Sequence, residues 1–205
     1  MYFKAYTGNH AGTMPDGSHL SRMAKKKFDF PVSKARRYLE SGPVVLISSR
    51  WHGRDNIMTL GWHTILEFTP SLWGAMISSG NHSHRMIRES GVCIVNLPTA
   101  DMIDTVSRIG NCDGDNINKF EEFGLTTTES VKVGAPGIAE CHASFECKVH
   151  DDALVDSRNF FIFEIVKAHV AERPSHPETL HYIGDGSFVT SGKIVTRRSL
   201  FTKVT

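Results

Sequence analysis

From residue 43 onward, the chain is a series of short strand patterns separated by turn residues, and this series constrains the fold most strongly. The strand patterns do not alternate with helices in a regular βαβ rhythm, which disfavours a doubly wound parallel sheet. They predict a mainly β fold, a barrel of six or seven mostly antiparallel strands with three short helices. The predicted strands lie near 44–47, 57–68, 72–77, 92–97, 139–149, 158–171 and 188–195, and the first two form a hairpin.

Helical patterns are short and stand between these strands. Apolar residues among charged ones predict a helix over 81–90, which Gly91 ends. A second helical pattern follows Thr99 and reaches Ile109. Residues 110–137 are rich in Gly, Asp and Asn and are predicted to be mostly loop. Long loops inside a compact domain are often functional.

The 205 residues divide into three parts. Residues 1–22 are polar and Gly-rich without periodicity, which predicts a flexible extension. Residues 23–42 combine clustered Lys and Arg with apolar residues at helical spacing, and these predict a short basic helix. Residues 43–205 contain no linker and are predicted to form a single barrel domain.

The balance of charge argues against a nucleic-acid partner. There are 23 Lys+Arg and 22 Asp+Glu, a net charge of +1, whereas nucleic-acid-binding proteins usually carry a larger basic excess. The basic patch at 22–37 leaves nucleic-acid or membrane contact open, but a solvated helix face explains it more simply. No run approaches the roughly 18 apolar residues of a membrane span. The four cysteines form no CxxC pair and the N-terminus lacks a signal-peptide pattern, so we expect reduced thiols and a cytoplasmic protein.

The sequence motifs of two other kinds of site, for dinucleotides and for metals, are incomplete or wrongly arranged. The dinucleotide fingerprint G-x-G-x-x-G is approached near the C-terminus, but Val189 stands where the third Gly should be. The best metal candidates are Cys141, His142, Cys147 and His150. Strand alternation puts the two cysteines on one face and the two histidines on the other, so we expect no metal site.

Three polar segments carry the functional signal. The first, 56–62, places an Asn, a Thr and a Gly on a strand that ends at Trp62. The second, 78–83, is a turn rich in Ser that enters a helix, where free backbone N–H groups favour a phosphate. The third, 114–120, is a polar loop that ends in a Lys-Phe pair. Each alone is also compatible with an ordinary strand, helix cap or loop.

In this order the three segments resemble the flavin reductase-like family, in particular its flavoredoxin-like members, which have the FMN-binding split-barrel fold. The resemblance covers about residues 43–195, and the segments 91–97, 118–125 and 137–147 support it. It implies an FMN-binding oxidoreductase that passes electrons from NADH or NADPH through flavin to a second flavin, an electron carrier or another small-molecule or protein acceptor. A non-catalytic flavin-binding or electron-carrier protein is the alternative.

The resemblance also assigns residues to the cofactor. A polar strand would contact the isoalloxazine and ribityl chain, and serines with one cation would hold the dianionic phosphate, which needs a charge and several donors. No residue is predicted to be catalytic, because FMN carries the chemistry. The predicted cofactor-binding residues are Asn56, Met58, Thr59, Leu60 and Trp62 on the strand, Ser78, Ser79, Ser83 and Lys119 at the phosphate, and Arg158 and Phe188 beside the flavin.

In that family FMN lies in a groove at the interface of a homodimer. Both alternating faces of 160–170 are largely apolar, whereas a barrel strand with one solvated face should alternate. A partner subunit or a helix of the same chain would have to cover the second face. The sequence departs from the family where a His often follows the turn between the two long strands, since Arg158 or Asn159 takes that place. A role that needs a titrating imidazole there is in doubt, although Arg158 can still donate a hydrogen bond.

Overall fold

A seven-stranded antiparallel sheet dominates the protein, of which the computed structural model describes residues 42–201. Its strands are β1 (Val45–Trp51), β2 (Arg54–Leu60), β3 (His63–Glu67), β4 (Leu72–Met76), β5 (Val92–Leu97), β8 (Ala143–Asp151) and β9 (Phe160–Val170). The short strands β6 (Thr127–Thr128) and β7 (Gly137–Ile138) pair with each other, as do β10 (Leu180–Gly184) and β11 (Ser187–Thr190). The helices are α1 (His82–Ser90), α2 (Ile103–Gly110), α3 (Lys119–Glu122) and α4 (Val155–Arg158), with single 3₁₀ turns at Ala100–Met102 and Arg198–Leu200.

The sheet curls so that its two edge strands are consecutive in the chain. The strand order is β2-β1-β5-β8-β9-β4-β3, and only Gly61 and Trp62 separate β2 from β3. The prediction of one strand over 57–68 is therefore wrong, because the chain leaves one edge of the sheet at Leu60 and enters the opposite edge at His63. The Met76 N–H donates to the Trp62 carbonyl oxygen at 3.0 Å and fastens the bend to β4.

The interior of the barrel is an apolar core, built by strand alternation. Ile47 and Met58 are register partners on β1 and β2 that face it, and Cys93 and Cys147 are register partners on β5 and β8. The rings of Phe161 and Phe163 stack on one another. Helix α1 adds Ile87 to this core and ends at Gly91, whose left-handed backbone suits glycine. The core comprises Val45, Ile47, Met58, Leu60, Trp73, Ala75, Ile77, Ile87, Cys93, Val95, Cys147, Val155, Phe161 and Phe163.

A second apolar cluster lies on the outer face of β1 and β2, beneath the segment that leaves β5 and returns at β8. Leu46 and Ile57 point outward into this cluster because they alternate with the core residues. Val106 and Ile109 are on the buried side of α2. Phe120 of α3 completes the contact, so the segment 98–142 is packed against the barrel.

Asn96 on β5 joins this outer segment to the barrel. Its amide nitrogen lies 2.9 Å from the Ser48 hydroxyl oxygen and 3.1 Å from the Leu46 carbonyl oxygen. Its carbonyl oxygen accepts from the Ile138 N–H at 3.1 Å and from the Ser144 hydroxyl at 2.8 Å. One fully buried carboxamide thus satisfies groups on β1, β7 and β8.

Glu146 on β8 is a second buried anchor for the same segment and has no solvent exposure. Its carboxylate accepts from the backbone N–H groups of Val131, Lys132 and Val133 at 2.8, 2.5 and 3.1 Å, and from His169 Nε2 at 2.8 Å. Burial raises the pKa of the carboxyl, but the bonds from Val131, His169, Lys132 and Val133 outweigh it, so the pKa lies below its ordinary value.

The predicted mainly β barrel with short helices is confirmed. The tail strand predicted over 188–195 is present as β11 but ends at Thr190, and its hairpin partner β10, joined to it around Asp185 and Gly186, was not predicted. Helix α4 occupies the predicted turn between the two long strands. The extension predicted over 1–22 and the basic helix predicted over 23–42 lie outside the described residues, apart from Gly42. In the described part of the chain, no helix is long and apolar enough to cross a membrane.

Candidate functional site

An open cleft of about 470 Å³ lies between β2, α2 and the β10–β11 hairpin. Thr59 and Gly61 form its floor, and Val44 adds an apolar wall. Tyr182 and Phe188 meet edge to face, with ring centroids 5.2 Å apart, on the hairpin side. A volume of this size and a mixed apolar and polar lining are typical of small-molecule sites. The remaining lining residues are Val106, Ser107, Gly110, Asn111 and Gly186.

Helix α2 approaches β2 closely at this cleft. The Thr59 hydroxyl donates to the Val106 carbonyl oxygen at 2.8 Å. A methyl group at Gly110 would lie 3.2 Å from the Thr59 Cβ, which is tighter than ordinary van der Waals contact. A small residue at position 110 therefore sets the distance between helix and strand. Because β2 is an edge strand that pairs only with β1, its outer backbone groups carry no strand partner in the described sheet.

A polar cluster lies further along β2. Asn56 is 2 % exposed, and its Nδ2 lies 2.8 Å from the Ser83 hydroxyl oxygen on the first turn of α1. Among the described residues its Oδ1 has no hydrogen-bond partner. Since a hydroxyl can both donate and accept, the reversed carboxamide keeps the Ser83 bond and frees N–H groups instead. The cluster thus has spare hydrogen-bonding capacity for a ligand.

The loop 111–118 packs directly on this cluster. A methyl group at Gly114 would overlap the Asn56 carboxamide, so only glycine permits the approach. On the other side of Gly114, the carboxylate of Asp115 forms an ion pair with His82, which begins α1. The loop therefore contacts both elements that carry the Asn56–Ser83 bond.

Lys119 holds the C-terminal end of α2. Its side chain is almost completely buried, and Nζ donates to the carbonyl oxygens of Ile109 at 3.2 Å and Cys112 at 2.9 Å. A cation at this end of a helix is favourable because the last carbonyl groups carry partial negative charge. The ammonium group has a third N–H, which neither of these two bonds uses.

The N-terminal end of α1 suits an anion. Within residues 42–201, no side chain caps this end and its first turn contains no acidic residue, so its N–H groups and positive dipole end are uncompensated by the helix itself. His84 on the same turn is buried, and its Nε2 has no partner among the described residues. Burial and the nearby Arg88 charge lower the pKa of His84 against a smaller opposite effect of Asp156, so the imidazole is neutral at pH 7.

Five of the predicted residues lie on or beside β2 and α2, but only Thr59 and Phe188 among them line the cleft. Asn56 and Ser83 bond to each other, and Lys119 bonds to the end of α2. Met58 and Leu60 instead face the barrel core, so any contact they make with a ligand in the cleft runs through their backbone. Four predicted residues form a second, more exposed group beside the end of β4, where the Ile77 N–H donates to the Asn159 carbonyl oxygen. The first group is Asn56, Thr59, Ser83, Lys119 and Phe188, and the second is Trp62, Ser78, Ser79 and Arg158.

Sequence reasoning missed several residues of the site. Gly110 and Gly114 matter through close backbone approach, and nothing local in the sequence shows what each glycine contacts. Tyr182 was missed because β10 was missed. The Asp185-Gly186 pair between apolar residues is a hairpin signal that could have revealed both.

Comparison with known proteins assigns this architecture. The family model of the flavin reductase-like domain matches residues 37–191. The chain belongs to the flavin reductase-like family. Its members are associated with flavin-dependent oxidoreduction and electron transfer, and membership supports flavin binding at that general level.

Individual family relatives agree with this assignment. An uncharacterized protein of Archaeoglobus fulgidus is 35% identical over 113 residues, a match that covers 55% of this chain and 64% of the relative. The crystal structure of an FMN-binding domain of a flavin reductase-like enzyme from Shewanella baltica is 27% identical, with a TM-score of 0.69 over 82% of this chain and 95% of that one. The flavoredoxin of Desulfovibrio vulgaris shares the fold, with a TM-score of 0.74, 21% identity and coverage of 88% and 99%.

Proposed function

We propose that the protein is an FMN-dependent oxidoreductase that takes electrons from NADH or NADPH and passes them to a flavin, an electron carrier or another acceptor. The observation that carries the proposal is the cleft between β2, α2 and the tail hairpin, in a chain of the flavin reductase-like family. Thr59 and Phe188, both assigned to the cofactor from the sequence, line this cleft.

The donor set fits FMN. An isoalloxazine ring system needs a partly apolar slot with hydrogen-bond groups at one edge, and the cleft offers Val44, Tyr182 and Phe188 beside the outer backbone of β2. A ribityl phosphate needs hydroxyl partners and positive charge. The Asn56 carboxamide, with one polar atom unpartnered among the described residues, and the buried ammonium group of Lys119 are of the right chemistry.

Each residue group would have a separate role. Phe188 would cover the ring and exclude water from it, and Asn56 and Ser83 would orient the ribityl phosphate. Backbone N–H groups near Thr59 would stabilise negative charge on the ring, as preorganised donors do. FMN, when bound, supplies the redox chemistry, accepting electrons from a nicotinamide and releasing them to an acceptor. No side chain is needed as a general base in this scheme.

The absorption spectrum of the purified protein tests flavin binding, and anaerobic addition of NADH or NADPH tests the donor. We expect flavin bands that bleach within minutes with one nicotinamide. A yellow protein that neither nicotinamide reduces would favour the electron-carrier alternative. A protein that takes up no FMN from solution would refute the proposal.

Phe188→Ala tests the placement of the ring. An aromatic contact contributes about 0.5–1.5 kcal/mol beyond its buried area, so the variant should bind FMN about two- to tenfold more weakly. Phe201→Ala is the control, because Phe201 is exposed outside the cleft. Equal FMN affinity of the two variants in a fluorescence titration would place the ring elsewhere.

We propose further that the protein is a cytoplasmic homodimer. Phe161 and Phe163 fill the barrel, whereas Phe160 and Ile162 on the other face of β9 stay half exposed. The edge strand β3 adds Ile65, which is 63% exposed, and the following turn exposes Phe68. Adjacent exposed apolar side chains on a sheet edge favour a subunit contact. Sedimentation should give twice the chain mass, and Ile65→Lys should give monomers.

A further inference from the structure

A carboxylate of the chain itself lies where the structure favours an anion. Asp115, in the loop 111–118, pairs with His82 at the start of α1. Within residues 42–201, the helix supplies neither an acidic first turn nor a side-chain cap at this end. Asp115 therefore provides the negative charge that this helix end otherwise lacks.

The site around this ion pair has a second, independent sign of an expected ligand. The Asn56 carboxamide is bonded to Ser83, the residue next to His82, and is buried with one of its two polar atoms unpartnered among the described residues. Gly114 lies directly on that carboxamide. A polar group that is left unsatisfied inside the protein costs free energy, which a ligand can recover by bonding to it.

We infer that Asp115 is an internal competitor for the phosphate group of the flavin. The loop 111–118 lies over the Asn56 carboxamide, and the Asp115 carboxylate pairs with His82. Entry of a phosphate requires that the loop lift, that Asp115 release His82, and that the phosphate take over the helix end. Because this inference rests on the proposed function, it concerns phosphorylated flavins and excludes riboflavin, which has no phosphate.

The exposure and the charge of Asp115 both favour this exchange. Asp115 is more exposed than His82, so its release into water costs little. A carboxylate kept beside a bound dianion would repel it. A polar pocket beside this ion pair, separate from the cleft, is also lined by Arg54 and by Asp55, whose carboxylate pairs with Arg50. This loop arrangement is therefore held by an exposed, weak pair that a stronger anion can displace.

Asp115→Asn tests the exchange because it should strengthen FMN binding, whereas the loss of a purely structural residue would weaken it. Removal of the competing charge should tighten FMN binding about two- to fivefold, the range of an exposed ion pair, and leave riboflavin binding unchanged. Asp113→Asn is the matched control, because Asp113 lies in the same loop and its carboxylate, within residues 42–201, accepts the Asp115 N–H at 3.2 Å and no other hydrogen bond. Both flavins are titrated into the full-length variants by fluorescence quenching.

The outcomes separate this inference from the proposed function. FMN affinity that is unchanged or weaker in Asp115→Asn, or an equal gain for riboflavin, would overturn the competition while the protein remains a flavin binder. Absence of binding of either flavin to any variant would overturn the proposed function and the competition together. Amide hydrogen exchange on the ligand-free proteins adds a readout without flavin, since exchange over 111–118 should rise in Asp115→Asn only. Unchanged exchange there would also count against the loop contact.

Discussion

Replacement of Glu146 by Gln should remove the anchor that holds residues 131–133 against β8. The carboxylate is fully buried and accepts three backbone N–H groups and His169. A hydrogen bond to a charged group contributes about 1.5–3 kcal/mol. The amide of Gln keeps one acceptor oxygen but turns an NH₂ group toward donors. Since contributions within one network are not additive, we expect a loss of about 2–4 kcal/mol in the free energy of unfolding.

Urea unfolding at pH 7, followed by tryptophan fluorescence at one protein concentration, measures this loss. Glu140→Gln is the matched control, because both Glu140 oxygens also accept a backbone N–H, that of Thr126, but at an exposed position. The control should lose less than about 1 kcal/mol, as exposed charged contacts usually do. Equal losses in the two variants would refute the assignment of Glu146 as a buried anchor.

The pH dependence gives a second check on the same residue. Because the folded protein lowers the pKa of Glu146, its ionised form contributes stability above the ordinary pKa of a Glu, about 4.3, and this contribution is lost as the pH falls through the folded value. The difference between wild type and Glu146→Gln should therefore be largest at neutral pH and shrink in acid. A difference that grows below pH 4 would contradict the sign of the pKa shift.

Two further substitutions test the site and its support. Lys119→Ala leaves the carbonyl groups of Ile109 and Cys112 without their donor and should cost on the order of 1–3 kcal/mol of stability. It should also weaken the binding of FMN more than that of riboflavin. Equal losses of affinity for both flavins would restrict Lys119 to holding the end of α2. Asn96→Ala breaks the bonds to Ser144 and Ile138 and should cost about 2–4 kcal/mol in the free energy of unfolding. Amide hydrogen exchange should rise more over 128–138 than in the barrel strands. A uniform rise across the sheet would contradict the role of Asn96 as a local joint.

Most of the barrel could be predicted from the sequence because each strand has its own signal. β-branched runs and alternation place β1, β4, β5, β8 and β9 within a few residues of their bounds. The division of 57–68 into two strands has no comparable signal, because Gly61 and Trp62 form no standard turn. It follows from closure of the sheet, which depends on all seven strands at once.

The candidate site shows the same limit. Thr59 could be assigned from the order of the polar segments and Phe188 from the family resemblance, and both line one cleft. The partners of Lys119 could not be predicted, because a Lys in a polar loop gives no indication that it will be buried against a helix end. Strand alternation predicted that Cys147 and His150 face opposite sides, but the cover over Glu146 comes from a loop about fifteen residues earlier in the chain, which periodicity does not reveal.

The hydrogen bonds of the Asn96 carboxamide also constrain the order in which parts of the chain can assemble during synthesis. Its partners on β1 precede it along the chain by about fifty residues, and those on β7 and β8 follow it by a similar interval. During synthesis, N-terminal parts emerge first, so Asn96 has only its partners on β1 and β5 until Ile138 and Ser144 have left the ribosome. The segment 98–142 therefore gains this joint only after β1, β5 and the start of β8 exist. A newly made chain passes through a stage in which its barrel edge is present and its binding cleft is not, and that stage is where chaperones and proteases would meet it.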